Sequence, residues 1–169
     1  MVEIICGDLI KSDADALVNP VNCDCSISQR GIASRFRREF GENFAAYRRA
    51  SAMNVIRLGR VFVFRTPYIF GPRYIINFPI RDGKWKTRIQ DIEVGLRDLV
   101  NQVNRLGIQS IAMPPLGCET KGLHWVDVRV RIEKVFGPLR EVRTLLFAPV
   151  QTFGTIPCGS EVNESEPCP

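Results

Sequence analysis

An α/β fold, with a mixed, mostly parallel sheet covered by helices on both faces, is what this sequence predicts. Three observations carry the prediction. Short apolar strand-like runs alternate along the chain with segments of helical period. The 169 residues suit one domain, and the 45% apolar fraction is enough for a buried core. The connections that follow the strands are rich in Gly, Asp, Asn and Pro, as ligand-bearing loops at the carboxyl ends of such sheets are.

The elements follow in order. VEIIC is a first strand, ending at Gly7-Asp8, and ADALVN a second, closed by Pro20. Residues 28–40 have helical spacing at Ile32, Phe36 and Phe40, and Phe44 and Tyr47 continue it in a second helical piece after Gly41. RVFVFRT alternates with period 2 and RYIINFP is a strand stopped by Pro79. Residues 88–106 place Ile89, Ile92, Leu96, Leu99, Val103 and Leu106 on one helical face. Thr87 and Gln90 fit a capping box at its start, and Gly107 a stop. SIAMPP is a buried strand, HWVDVRVRIEKVF a helix and RTLLFAP the last strand. The loops to watch are therefore 7–10, 19–31, 77–87, 114–122 and 148–150.

Composition narrows the function classes. No run approaches the ~20 apolar residues of a membrane span, and MVEIICGDLI carries no secretory pattern. The six cysteines read as reduced thiols of a cytoplasmic protein. Cys23 and Cys25 form a C-x-C without a second Cys or His pair at zinc spacing, and His124 is the single histidine, so no metal and no cofactor are expected. The net charge is +5 although residues 151–169 hold three acids and no base, which gives the body +8. A body this basic favours anionic partners such as nucleotides or nucleic acid. Residues 151–169 read as a flexible polar tail and residues 1–150 as the domain, expected to act as a monomer.

Asp8 could accept hydrogen bonds from an amino group such as that of adenine, or cap the turn it starts. Asn19 and Asn22 offer amide donors and acceptors that suit ribose hydroxyls, or close an Asx turn. Residues 26–31 and 114–122 both lead into helices, whose free N–H groups favour an anion, and Arg30 could add charge. In RDGKWKTR, four basic side chains surround Trp85. With Lys84 and Lys86 it could track a phosphate backbone and stack on a base, or Trp85 could pack on the sheet edge. The basic face of residues 30–49 reads as plain surface or as a nucleic-acid site. Cys23 and Cys25 read as loop packing.

GDL at 7–9, ADALVNPVN at 14–22, RGIASRFRREF at 30–40, NFP at 77–79, PPLGC at 114–118 and GLHW at 122–125 resemble, in order, a macro domain. The resemblance covers residues 1–150 and is closest to the bacterial antitoxin macro domains that remove ADP-ribose from DNA bases, and to the related terminal ADP-ribose glycohydrolases. It implies a three-layer α/β/α fold with an ADP-ribose cleft, and a toxin-type ADP-ribosyltransferase as a possible partner. Asp8, with Leu9 beside it, would meet the adenine amino group, Phe147 would lie near the adenine, and Asn22 near the distal ribose. Arg30, Gly31 and Ile32 would lie in one pyrophosphate loop. Residues 116–122, with Leu116, Gly117, Cys118, Glu119, Thr120 and Gly122, would form the other, and Pro115 would also contact the ADP-ribose.

The departures from the family pattern are specific. Where the family has M-G-K-G-I-A, this chain has Ile27-Ser28-Gln29-Arg30-Gly31-Ile32-Ala33. Glu119 replaces a glycine of the second loop. Lys121 falls where some members have a catalytic Asp, and Arg81 where the family has a catalytic Lys. An arginine stays protonated and cannot attack an anomeric carbon as a lysine amine can, but it can hold a phosphate or stabilise negative charge. The candidate catalytic residues are Asn22, Arg81 and Lys121. Three functions follow: a glycohydrolase acting on ADP-ribosylated DNA, a non-catalytic reader of ADP-ribose or another nucleotide, and a macro-fold protein that binds nucleic acid or protein through its basic surface.

Overall fold

The structure, a computed structural model, describes residues 1–26, 31–83, 86–118 and 122–149. Eleven elements are arranged about one sheet. The strands are β1 (Val2–Ile5), β2 (Ala16–Asn22), β3 (Phe62–Arg65), β4 (Tyr74–Arg81), β5 (Ser110–Met113) and β6 (Arg143–Phe147). The helices are α1 (Ile32–Glu39), α2 (Gly41–Ala52), α3 (Ile89–Leu106) and α4 (Trp125–Phe136), with a short 3-10 turn at Leu9–Lys11. The strand order is β1-β6-β5-β2-β4-β3. All neighbours are parallel except β3 and β4, which are antiparallel.

Alternation along each strand sends side chains to two layers. Ala16, Val18, Ile76, Phe78, Ile111 and Met113 pack with Ile92, Leu96 and Leu99 of α3 and Val128, Ile132 and Phe136 of α4. Leu17, Ile75, Ala112 and Leu145 pack with Phe36 and Phe40 around α1. Val21 meets Tyr47 and Ala50 of α2 in a third cluster. Helices thus cover both faces, as the strand–helix alternation predicts.

Three local expectations change. β2 runs through Pro20 to Asn22 and β4 runs through Pro79 to Arg81. Neither proline stops its strand, because each lies where one edge is open. β5 pairs with β2 only at Ala16 and Leu17, and β3 reaches no further along β4 than Asn77. A residue without an N–H is tolerated there. The Thr87–Gln90 capping box does not form: Arg88 is the N-cap of α3 without a side-chain cap bond, and it pairs with Asp91 at 2.8 Å instead. The first helix begins at Ile32, with Gly31 before it. Gly107 does end α3, in left-handed conformation.

Gly95 sits where α3 crosses β4. A Cβ there would lie 2.5 Å from Phe78 Cζ. Gly95→Ala is expected to cost about 1–3 kcal/mol of stability by overpacking, despite alanine's better helix propensity. Urea denaturation checks it, and Gly95→Ala/Phe78→Leu should recover part of the loss.

Candidate functional site

The crevice lies where the connections diverge. β2 leads through α1, α2 and β3 toward one edge of the sheet, and β5 leads through α4 toward the other. β2 and β5 are neighbours but pair with each other over only two positions, so toward their carboxyl ends they part. Ligands bind at such switch points in open α/β sheets.

Strand order sets the sequence of groups along the crevice. Asp8 follows β1, Phe147 ends β6, Pro114–Cys118 follow β5, Asn22 ends β2 and Arg81 ends β4. β1 and β2 are three strand steps apart, about 14 Å at ~4.8 Å per step.

At the β1 end, Asp8 caps the 3-10 turn: its Oδ1 accepts from the Ile10 amide at 3.1 Å. Its Oδ2 accepts from Arg35 Nη2 at 2.6 Å. The Arg35 guanidinium holds the Asp8 carboxyl below its usual range against the opposing effect of partial burial. Because the folded value is depressed, the pair's small contribution to stability is present above the ordinary carboxylate range and fades as pH falls through the folded value. With both groups about a third exposed, it is worth less than ~1 kcal/mol. Leu9 and Phe147 are buried, and a Cβ at Gly7 would lie 3.9 Å from the Phe147 ring.

In the middle, Gly117 has φ +70° and is packed against Thr87 and Leu123. The Cys118 amide donates to the Pro115 carbonyl at 3.1 Å, and the Leu123 amide to the Gly117 carbonyl at 2.8 Å. This folds residues 115–118 into a tight turn and ties the loop back just before α4. Leu116 anchors it in the core. Gly122 is exposed on the way to α4. Between β2 and α1, Gly31 opens the helix with no side-chain cap hydrogen bond. Arg30 of the first loop, and Glu119, Thr120 and Lys121 of the second, lie outside the described residues.

At the β2 end, Asn22 is the register partner of Arg81 across a bulge. Asn22 Nδ2 donates to the Ser26 carbonyl at 2.8 Å and to Ser26 Oγ at 3.0 Å. No described residue donates to its Oδ1. Tyr47 Oη donates to the Asn22 carbonyl, and Ser51 Oγ to that of Cys23 at 2.6 Å, so α2 sets the height of this strand end. Sequence reasoning missed Tyr47 and Ser51, because a helix-face Tyr reads as core. Arg81 is exposed, close enough to Asp24 to contribute to holding that carboxyl low, after the two Ser26 hydrogen bonds that dominate.

Asn19 is not at the strand end. It is buried, its Nδ2 donates to Asn77 Oδ1 at 2.9 Å and its Oδ1 has no partner. Lys86 is exposed, whereas Lys84 and Trp85 lie outside the described residues. Burial, with Asp82 and Asp24 nearby, pushes the Cys23 thiol up to about 11, and burial alone pushes Cys118 to about 11. Thiols held there are almost wholly protonated at neutral pH and make poor nucleophiles. Among the described residues no His, Cys, Asp and Glu group could hold a metal, and no helix is long and apolar enough to cross a membrane.

The fold and this row of loops are those of an α/β/α domain whose candidate ligand site lies at its switch point. Residues 18–132 match the family described as Macro domain, and the chain belongs to that family. It is 39% identical over 145 residues to a DNA ADP-ribosyl glycohydrolase of Mycobacterium tuberculosis and 36% identical over 153 residues to one of Thermus aquaticus. These matches cover 85% and 89% of this chain but only 41% and 42% of the relatives, so the chain spans less than half of their length. A DNA ADP-ribosyl transferase–glycohydrolase fusion protein of Thermosipho africanus is 25% identical over 170 residues, covering 90% of this chain and 41% of the fusion. The solved macrodomain of Mycobacterium tuberculosis DarG superposes with a TM-score of 0.85 at 37% identity, covering 88% of this chain and 98% of that one. That of Thermus aquaticus DarG gives 0.83 at 36%, with 88% and 99% covered.

Proposed function

We propose that this chain binds ADP-ribose and removes it from DNA bases. One observation carries the reading: the groups along the crevice follow the order of the parts of ADP-ribose, in a chain 39% identical to a DNA ADP-ribosyl glycohydrolase. Asp8 takes the adenine amino group on the lone pairs that Arg35 and Ile10 leave, with Leu9 and Phe147 beside the ring. The diphosphate lies between the start of α1 (Arg30, Gly31, Ile32) and the 115–122 loop, where helix amides favour it. Asn22 Oδ1 accepts from a hydroxyl of the distal ribose. Water adds to the anomeric carbon, the bonding electrons leave with the base nitrogen, and that nitrogen ends protonated. Arg81 keeps its charge and stabilises the departing negative charge rather than attacking. Lys121 adds positive charge in the same region. The protein works in the cytoplasm as a monomer, opposed to an ADP-ribosyltransferase of the kind fused to its relative.

Arg81 in the place of the family's lysine supports a second reading, a binder that does not turn over. Two measurements separate them. Release of ADP-ribose from ADP-ribosylated thymidine or guanosine oligonucleotides, followed on gels, establishes the enzyme. A rise in melting temperature with ADP-ribose but no release establishes the reader, with about 1.4 kcal/mol expected at ten-fold excess over Kd. Neither effect at millimolar ADP-ribose overturns both. Calorimetry of Glu119→Gly extends the test: a carboxylate a few Å from the diphosphate costs a few kcal/mol, and its removal should tighten binding.

A further inference from the structure

The arginines are divided unevenly over the surface. On and around α3 and α4 pairing is commoner: Arg88 pairs with Asp91, Arg129 with Glu133 and Arg131 with Glu93, while Arg97, Arg105 and Arg140 have no carboxylate partner among the described residues; on β6, Arg143 pairs with Glu3 and Asp13. Residues 31–73 contain nine arginines, no lysine and only Glu39 and Glu42, a net of +7 where the whole chain has +5. Two of the nine have acidic partners, Arg35 with Asp8 and Arg38 with Glu39. Arg37 lies over the Phe44 ring. Six others are exposed with no carboxylate partner among the described residues: Arg48 and Arg49 on α2, Arg57 and Arg60 on the path to β3, Arg65 and Arg73 at the β3–β4 hairpin.

Apolar groups stand among them. Ile69 and Phe70 at the hairpin tip are each 91% exposed, Tyr68 is 43% exposed, and its ring meets Phe40 at 6.3 Å, joining the tip to the end of α1. Arginines on an edge strand can serve only to blunt it. That accounts for Arg65, on β3, but not for Arg48 and Arg49 on a helix or Arg57 and Arg60 before the strand.

We infer that this flank, formed by α2, the α2–β3 path and the β3–β4 hairpin, binds the single-stranded DNA that carries the ADP-ribose. This rests on the functional reading above for the direction of the strand. The adenine end of the ligand lies toward β1, so the base-linked ribose lies at Asn22 and Arg81, on the β4–β3 side. Anything attached to that ribose leaves the crevice beside α2, whose Tyr47 and Ser51 hold the backbone at Asn22 and Cys23. From Arg81 to Tyr74, near the hairpin tip, is roughly 23 Å along β4, enough for several nucleotides. Unpaired arginines suit phosphates, and an exposed aromatic suits an unstacked base.

Anisotropy of a labelled, unmodified single-stranded oligonucleotide tests the surface directly. Wild-type binding should weaken with salt, with a slope of about −0.7 per phosphate contact. Replacing Arg48, Arg49, Arg57 and Arg60 by alanine should weaken binding at least about tenfold and flatten that slope, while ADP-ribose binding by calorimetry stays unchanged. Phe70→Ala should cost about tenfold by lost stacking. Arg105→Ala/Arg140→Ala, outside this flank, should change nothing. Absence of salt-dependent binding by the wild type, an undiminished quadruple variant, or equal affinity for polyglutamate each overturns the inference. The direction is tested by turnover: the quadruple variant should slow release from an ADP-ribosylated oligonucleotide and leave release from ADP-ribosylated thymidine unaltered. Equal slowing of both substrates overturns the placement. DNA binding at this flank without turnover of either substrate leaves the surface standing and removes the enzymatic reading instead.

Discussion

An Asn77→Ala variant is expected to lose about 3–5 kcal/mol of stability and to melt roughly 10 °C lower, as read by circular dichroism. Asn77 is wholly buried in the middle of β4. Its Nδ2 donates to Asn43 Oδ1 at 2.7 Å and to the Phe62 carbonyl at 3.3 Å. Its Oδ1 accepts from Asn19 at 2.9 Å and from Asn43 at 3.2 Å. One side chain therefore joins β2, β3, β4 and α2. Alanine leaves several buried polar groups without a partner, at about 1–3 kcal/mol each and less than additively. Asn43→Ala breaks two of these bonds and should cost less. Asn19→Ala removes one bond and also an oxygen that already lacks a partner, so it should be the mildest of the three. An Asn77→Ala protein as stable as Asn19→Ala would show that the network does not hold α2 to the sheet.

This network marks where the sequence stops being legible. NPVN offers two asparagines of the same chemistry three residues apart. Period 2 puts Asn19 and Asn22 on opposite faces, and the strand had to be known to run past Pro20 before their depths could be told apart. Pro79 hid the length of β4 in the same way. The elements themselves were readable because their periods are strong, as in the apolar face of α3. Gly117 and Asp8 were readable as loop residues, and Asp8 proves to make the turn cap offered as one of its two readings. What composition hid was pairing. Arg88 beside Asp91 and Arg48 without an acid look alike as letters, and only the fold separates a paired arginine from a bare one.

Gly117→Val is expected to weaken ADP-ribose binding more than a hundredfold while the protein still folds. Two independent constraints meet at this residue. Its φ of +70° is one that a β-branched side chain rarely adopts, at a cost of order 1–3 kcal/mol. A Cβ would also lie 2.8 Å from Thr87 Cγ2 and 3.4 Å from Leu123 Cδ1, and valine adds two methyls beyond it. Thr87 is fixed just before α3 and Leu123 just before α4, so the loop is the part that yields. Its movement breaks the hydrogen bond from the Leu123 amide to the Gly117 carbonyl and displaces the amides proposed to hold the diphosphate. The core beneath, anchored by Leu116, stays in place. Gly83→Val is the matched control. It has φ +54° but nothing within 4 Å of the added Cβ, so it carries the backbone strain without the clash. Calorimetry with ADP-ribose and a melting curve on each variant separate the two effects. If both substitutions lower stability alike and neither changes the dissociation constant, the 115–118 turn does not hold the ligand. If only Gly117→Val abolishes binding, close packing against Thr87 and Leu123 is what keeps the turn in a shape that accepts a diphosphate.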